Sequence, residues 1–342
     1  MNSLPVPSAA FRLEPFTPPW GLRNPHMQSV LANGLRPQTG VSFRRQRLDT
    51  PDGDFVDLDF ADVAGASWAD LGDKAAIVLL LHGLEGSARR GYACETYKPA
   101  RGIRAVGLNF RSCSGEMNRT AYLYHAGATG DVALVMNWLG NQFPGVAKGM
   151  VGFSLGANVL LKYLGEREDE VEGQVATAVA VSPPFDMVAG SQAFNQGHGR
   201  LYARLFLRTL KEKTRAHTAL LADKIDVDQV LRAQTVAEFD DALTAPLHGF
   251  RDAQDYYTRC GAGRFLPGVR VPTLLLRARD DPFFGDDLHL VSQAANPFLV
   301  PGFTDHGGHV GFLEGLIPRR FWAERQAARF LAHYLNASAR GS

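Results

Sequence analysis

Two patterns of apolar and polar positions alternate along the chain and divide it into parts. In residues 54–60, Val56, Leu58 and Phe60 alternate with Phe55, Asp57 and Asp59. That spacing predicts a strand with one buried and one wet face, paired antiparallel with residues 41–48 through the turn Thr50-Pro51-Asp52-Gly53. From Lys74 onward the alternation gives way to buried-strand segments, an unbroken apolar run at 76–81 and mostly apolar stretches at 105–109, 147–153, 175–181, 273–278 and, more briefly, 298–301. Such runs are expected of strands covered on both faces. Between them lie helically spaced segments at 92–99, 130–143, 158–164 and 321–335; the second carries Val132, Val135, Met136 and Leu139 at core spacing. Strand and helix in alternation predict an α/β protein with a mostly parallel central sheet, right-handed crossovers and flanking helices.

One segment breaks this order. Between Phe185 and Gly268 there is no buried-strand run, only helical stretches at 200–210, 215–221, 236–245 and 250–259. An insertion there, between two core strands, falls at the carboxyl edge of the sheet, where open α/β sheets bind ligands. The expected organisation is an N-terminal extension (1–40), a first core segment (41–182), a helical cap (183–268) and a second core segment (269–342). The proline-rich start, 1–19, is expected to lie extended over the surface, with Phe11, Phe16 and Trp20 as candidate pins.

The chemistry centres on Gly152-Phe153-Ser154-Leu155-Gly156, between a strand and a helix. In a G-x-S-x-G elbow the turn is so sharp that the serine adopts a strained conformation, and the glycines leave room for it. A serine hydroxyl needs a base to take its proton, and the base needs an orienting acid. After strand 273–278 comes Arg279-Asp280-Asp281-Pro282-Phe283; Asp281 is the chosen acid and Asp280 the reserve. Asp305-His306-Gly307-Gly308-His309 follows, with His309 as the base on a flexible, glycine-rich loop and His306 as second choice. The H-x-x-H spacing has neither the helix nor the adjacent acid of a zinc protease, so no metal is expected. The oxyanion of an attacked carbonyl needs two donors: the backbone N–H of Leu155 at the helix start and that of Leu84 in the loop His82-Gly83-Leu84. His82 itself reads as a structural hydrogen-bonder. Arg111 reads as a guanidinium that fixes its loop by bridging backbone carbonyls, against the alternative of a phosphate or carboxylate receptor. Cap residues such as Phe194, Leu201, Tyr202, Phe206, Phe239, Phe250, Tyr256 and Tyr257 are candidates for an apolar acyl pocket.

Composition narrows the class. The 342 residues carry a formal net charge of +1, which gives no reason to expect nucleic acid as a partner. Three cysteines at unrelated spacings, Cys94, Cys113 and Cys260, fit a reducing compartment and no disulfide framework. No apolar run approaches a membrane span, so neither a signal peptide nor integral membrane association is expected, and the cytosol is the default location.

Six segments in one order carry a resemblance: Asn24-Pro25-His26-Met27-Gln28-Ser29, residues 81–87, residues 109–116, residues 152–158, Asp280-Asp281-Pro282-Phe283 and residues 306–312. Together the chain resembles an α/β hydrolase of the YheT-like branch (AB hydrolase family 4), which includes medium-chain phospholipases and yeast ethyl-ester synthases. The resemblance implies the α/β-hydrolase fold and carboxylic-ester hydrolysis, with Ser154, Asp281 and His309 on the family's triad. Ser112 departs from it, standing where relatives carry glycine. The expected activity is hydrolysis of small ester or lipid substrates with short to medium acyl chains, without a cofactor. The alternatives are transfer of the acyl group to an alcohol, since the covalent step is the same, and a binding module without turnover.

Overall fold

The computed structural model describes residues 11–64, 67–99, 102–171 and 173–338. Eight strands form the central sheet: β1 (Val41–Asp49), β2 (Phe55–Val63), β3 (Ile77–Leu81), β4 (Arg104–Asn109), β5 (Lys148–Phe153), β6 (Thr177–Val181), β7 (Thr273–Ala278) and β8 (Leu299–Thr304). Their spatial order is β1-β2-β4-β3-β5-β6-β7-β8. β1 and β2, and β2 and β4, pair antiparallel; every later pairing is parallel.

The mostly apolar parallel strands are buried on both faces, as their sequence requires. On one face Leu79 and Leu81 of β3 join Val132, Met136 and Leu139 of helix Thr129–Gln142 and Leu160 and Leu164 of helix Leu155–Arg167. On the other, Val78 and Leu80 join Ala93 and Tyr97 of helix Gly91–Tyr97 and Phe330 and Leu331 of helix Trp322–Ser338. Period-two alternation along β3 thus feeds two separate cores.

Several expectations change in detail. Asp57 and Asp59 of β2 are buried rather than wet. Arg47 grips Asp57 at 2.8 Å, while Arg45 and Arg89 grip Asp59 at 2.9 and 2.7 Å, so paired guanidinium groups replace water over that face. β8 runs past Pro301 to Thr304, which the edge position permits because an edge strand can spare a donor. The first helix starts at Pro25, with Asn24 Oδ1 accepting from the amides of His26 (2.9 Å) and Met27 (3.1 Å). Of the candidate pins, Phe11 packs on Phe330 and Phe16 on Phe312 and Trp322, while Trp20 is fully exposed. The first ten residues of that segment lie outside the described residues.

The insertion between β6 and β7 is helical and has its own apolar cluster, including Leu207, Leu221, Val230, Phe239 and Leu243. It contains two helices with no counterpart in the sequence reading, Met187–Phe194 and Val227–Arg232. The stretch expected as one helix at 236–245 is divided into Val236–Phe239, a π turn at Asp240–Thr244 and Ala245–His248. A short hairpin, Leu313–Leu316 with Arg319–Phe321, follows the histidine loop. Among the described residues no helix is long and apolar enough to cross a membrane.

Candidate active site

Ser154 sits between the end of β5 and the start of helix Leu155–Arg167 with φ 52° and ψ −119°. The two elbow glycines are dictated by crowding. A Cβ on Gly156 would meet the carbonyl oxygens of Leu81 and His82 at 2.3 and 2.4 Å, and one on Gly152 would meet Gly156 O at 2.5 Å. The turn therefore presses helix, β3 and β5 together and leaves the serine side chain outside them.

His309 Nε2 lies 2.9 Å from Ser154 Oγ, and its Nδ1 lies 2.9 Å from Asp281 Oδ2. The structure thus brings Ser154, Asp281 and His309 together from three separated loops. Burial alone would raise the Asp281 carboxyl, but the adjacent His309 and Arg277 hold it below the ordinary carboxylate range. Arg277, itself buried, approaches Asp281 at 3.4 Å and Asp287 at 3.2 Å and donates to Pro183 O at 2.5 Å. Phe283 N–H donates to Asp281 Oδ1 at 2.9 Å, and the Phe283 ring stacks on the His309 imidazole at 4.2 Å.

The reserve residues do not reach the serine; they bond to each other and shape the loop. Asp280 Oδ2 lies 3.2 Å from His306 Nδ1, and Asp280 Oδ1 accepts from the Gly308 amide at 2.9 Å. Nor is the histidine loop a slack tether. A Cβ on Gly308 would fall 2.3 Å from Pro25 O, so helix Pro25–Leu35 packs directly on it. Ser29 Oγ of that helix accepts from His309 N–H at 2.8 Å, and Ser182 Oγ accepts from Val310 N–H at 3.1 Å. Buried Gln28 clamps the loop's far end, accepting from Leu313 N–H at 2.8 Å and donating to Leu313 O at 3.2 Å. The roles of Gln28, Ser29 and Ser182 were missed from sequence. The Asn24–Ser29 motif was the available signal for the first two, without a partner to point to.

The amides of Leu84 and Leu155 donate to no acceptor among the described residues. Both residues line the cavity with Ser154. His82 is fully buried, and burial pushes its imidazole down to about 3. Its Nδ1 lies 2.7 Å from Gly83 O and its Nε2 accepts from Phe110 N–H at 3.1 Å, so it is a neutral strut under the loop. Glu85, the next residue after Leu84, has φ 53°; its carboxylate takes hydrogen bonds from Tyr124 OH and from Lys213 of the insertion, each at 2.9 Å.

Arg111 fixes its loop, but through carboxylates rather than carbonyls. It pairs with Asp131 through two hydrogen bonds (2.9 and 2.8 Å), with Asp52 at 2.6 Å and with Asp54 at 3.3 Å. These leave it no charge to offer a free anion. Ser112 has φ 61°, which explains why glycine suits that position; here Asn118 receives its N–H. Of the candidate pocket residues, Phe194, Phe206, Phe239, Tyr256 and Tyr257 line the cavity above Ser154. Leu201 is exposed, Phe250 packs against Tyr256, and Tyr202 packs at a tilt on Phe283 without lining the cavity itself.

The family whose description is the α/β-hydrolase fold matches residues 76–316. The chain belongs to that family. YheT of Escherichia coli (strain K12), whose name calls it an esterase, is 36% identical over 327 residues, covering 94% of each chain. A monoacylglycerol lipase of Saccharomyces cerevisiae is 32% identical over 269 residues, or 76% of this chain and 59% of the yeast protein. Mouse phospholipase ABHD3 is 30% identical over 297 residues, 86% of this chain and 72% of its own. These place this α/β hydrolase in the YheT-like branch. In fold it also resembles an esterase of Pyrobaculum calidifontis at a TM-score of 0.55, with 15% identity over 92% of this chain and 88% of the other.

Proposed function

We propose that this carboxylic ester hydrolase works through an acyl-enzyme on Ser154 and acts on short- to medium-chain acyl esters. Ser154 Oγ attacks the acyl carbonyl while His309 Nε2 takes its proton, then returns that proton to the leaving alcohol. Asp281 holds the imidazole by Nδ1 and stabilises its charged form. The amides of Leu84 and Leu155 receive the oxyanion, each donor supplying about 3 kcal/mol in the transition state. Water, activated by the same imidazole, then releases the acid. The observation that carries this reading is the bridging imidazole, 2.9 Å from the elbow hydroxyl and 2.9 Å from a buried carboxylate.

The acyl preference rests on the cavity next to the serine, where Met187, Phe194, Phe206, Leu210, Phe239 and Leu243 present apolar surface. Ser154→Ala is expected to abolish turnover of a nitrophenyl ester while circular dichroism and thermal unfolding stay those of the wild type. Undiminished turnover by that folded variant would defeat the assignment. In the wild type, a series of acyl lengths should give rates that rise and then fall as the chain outgrows the cavity.

A further inference from the structure

The insertion's longest helix, Gly199–Ala216, has two faces with different tasks. Phe206, Leu210 and Lys213 look into the cavity above Ser154. The other face is open to solvent, with Leu201 and Leu205 each 59% exposed one turn apart and flanked by exposed Arg200, Arg204 and Arg208. Isolated exposed leucines are ordinary, but two in register between arginines form a stripe.

A second element continues it. His26 of helix Pro25–Leu35 lies with its ring centroid 4.5 Å from that of His198 and 6.0 Å from that of Tyr202, and its Nδ1 is 3.4 Å from the Tyr202 hydroxyl. That helix exposes Met27 (43%) and Val30 (57%), and the turn leading into it exposes Trp20 fully. Arg23 stands between them, exposed. The stripe also lies close to the reacting groups: Tyr202 packs on Phe283 at 4.7 Å, and Phe283 packs on His309 at 4.2 Å.

Charge indicates what covers this face. The whole chain is nearly neutral at +1, yet residues 15–48 and 187–211 contain no aspartate or glutamate at all. Arg23 and Arg204 have no acidic partner among the described residues, Arg200 donates to a backbone carbonyl, and only Arg208 is shared with a carboxylate, Glu212 at 3.0 Å. Unneutralised arginines alternating with leucines, beside methionine and tryptophan, match a surface that is anionic outside and apolar just beneath. That surface is a bilayer of anionic phospholipid.

We infer that the outer faces of helices Gly199–Ala216 and Pro25–Leu35 form a docking surface for an anionic phospholipid bilayer. Attachment is peripheral, by shallow burial of Leu201, Leu205, Met27, Val30 and Trp20 with the arginines at headgroup level. Its test needs no turnover, so it succeeds or fails independently of the acyl-enzyme reading. The full chain is sedimented with vesicles of phosphatidylglycerol and phosphatidylcholine in equal parts, and with phosphatidylcholine alone. Binding is expected to the anionic vesicles only, and to weaken as salt is raised. The pair Leu201→Ser with Leu205→Ser, and separately Arg200→Glu with Arg204→Glu, should each lower the partition about tenfold or more. Both pairs should keep wild-type turnover of water-soluble nitrophenyl butyrate, which shows that fold and site are intact, and Ser154→Ala should sediment like the wild type. A wild type that ignores anionic vesicles would overturn the inference, as would variants that bind as well as it does. So would concentration-dependent self-association that the same substitutions abolish, because a second copy of the chain would then be what covers the face.

Discussion

The serine elbow and the histidine loop meet at one hydrogen bond, but they are built in opposite ways. The elbow is compact in sequence: Gly152, Ser154 and Gly156 lie within five residues, the contacts that forbid a side chain at Gly152 come from its own helix, and only those at Gly156 come from elsewhere, the end of the neighbouring strand β3. The histidine loop is held from far along the chain. Ser29, Ser182 and Asp280 each accept one of its backbone amides, at 2.8, 3.1 and 2.9 Å, and Gln28 closes its far end. A nucleophile can be set by backbone strain within one turn. A base that must face both a serine and a carboxylate has to be fixed by several independent anchors.

The largest effect expected from breaking this arrangement is at its acid. Asp281→Asn keeps the shape but loses the charge that orients and stabilises the imidazolium, and kcat should fall about ten-thousand-fold with little change in KM. Steady-state kinetics on a nitrophenyl ester check it; near-normal turnover would mean that a different carboxylate serves His309.

Next comes the acid sensitivity of the elbow side. His82 is buried neutral with its folded value lowered to about 3 from 6.5, so the unfolded chain binds the proton that the folded chain refuses. The stability this contributes is fully present above about pH 6.5 and is lost as pH falls towards 3, on the order of 5 kcal/mol over the whole span. His248, lowered to about 4 by burial, acts in the same direction. Urea midpoints should therefore drop steadily below neutrality, and hydrogen exchange under mild acid should open residues 82–87 before residues 306–312. The reverse order would show that the histidine loop is the weaker half.

A smaller effect is expected at Ser29. Its removal leaves the His309 amide without an acceptor, a cost of about 1–3 kcal/mol. Ser29→Ala should lower kcat roughly tenfold by misplacing the imidazole, and Ser29→Thr, which keeps the hydroxyl, should restore most of it. A change confined to KM would show that the serine acts on substrate binding instead.

The same contrast explains what could be read from sequence. The parallel strands were legible because full burial leaves short, mostly apolar stretches between helical segments, and 273–278 was placed to the residue in spite of its Arg277. The elbow was legible because its pattern, a serine with glycines two residues to either side between a strand and a helix, is contiguous in sequence even though Gly156 is crowded by β3. The order of serine, acid and base along the chain pointed to the two loops, and Pro282 after Asp281 and the glycines before His309 brought those two residues forward over their neighbours. What stayed hidden depends on partners that are distant in sequence. Asp57 and Asp59 look like the wet face of a strand until Arg45, Arg47 and Arg89 are placed above them. Ser29 looks like any helix serine until the histidine loop lands on it. Glycines before His309 read as slack, whereas Gly308 is required by the close approach of Pro25 O. The π turn that divides 236–248 likewise places a buried carboxylate, Asp240, against a partner from another helix, Tyr257, whose hydroxyl donates to it at 2.6 Å.

The central claim is that a histidine and a buried aspartate make the elbow hydroxyl reactive. Reaction with a fluorophosphonate, followed by peptide mass spectrometry, tests it most directly. One adduct per chain on Ser154, lost in His309→Ala, is the predicted result; an enzyme that still turns over ester after modification elsewhere, with Ser154 unlabelled, would contradict it.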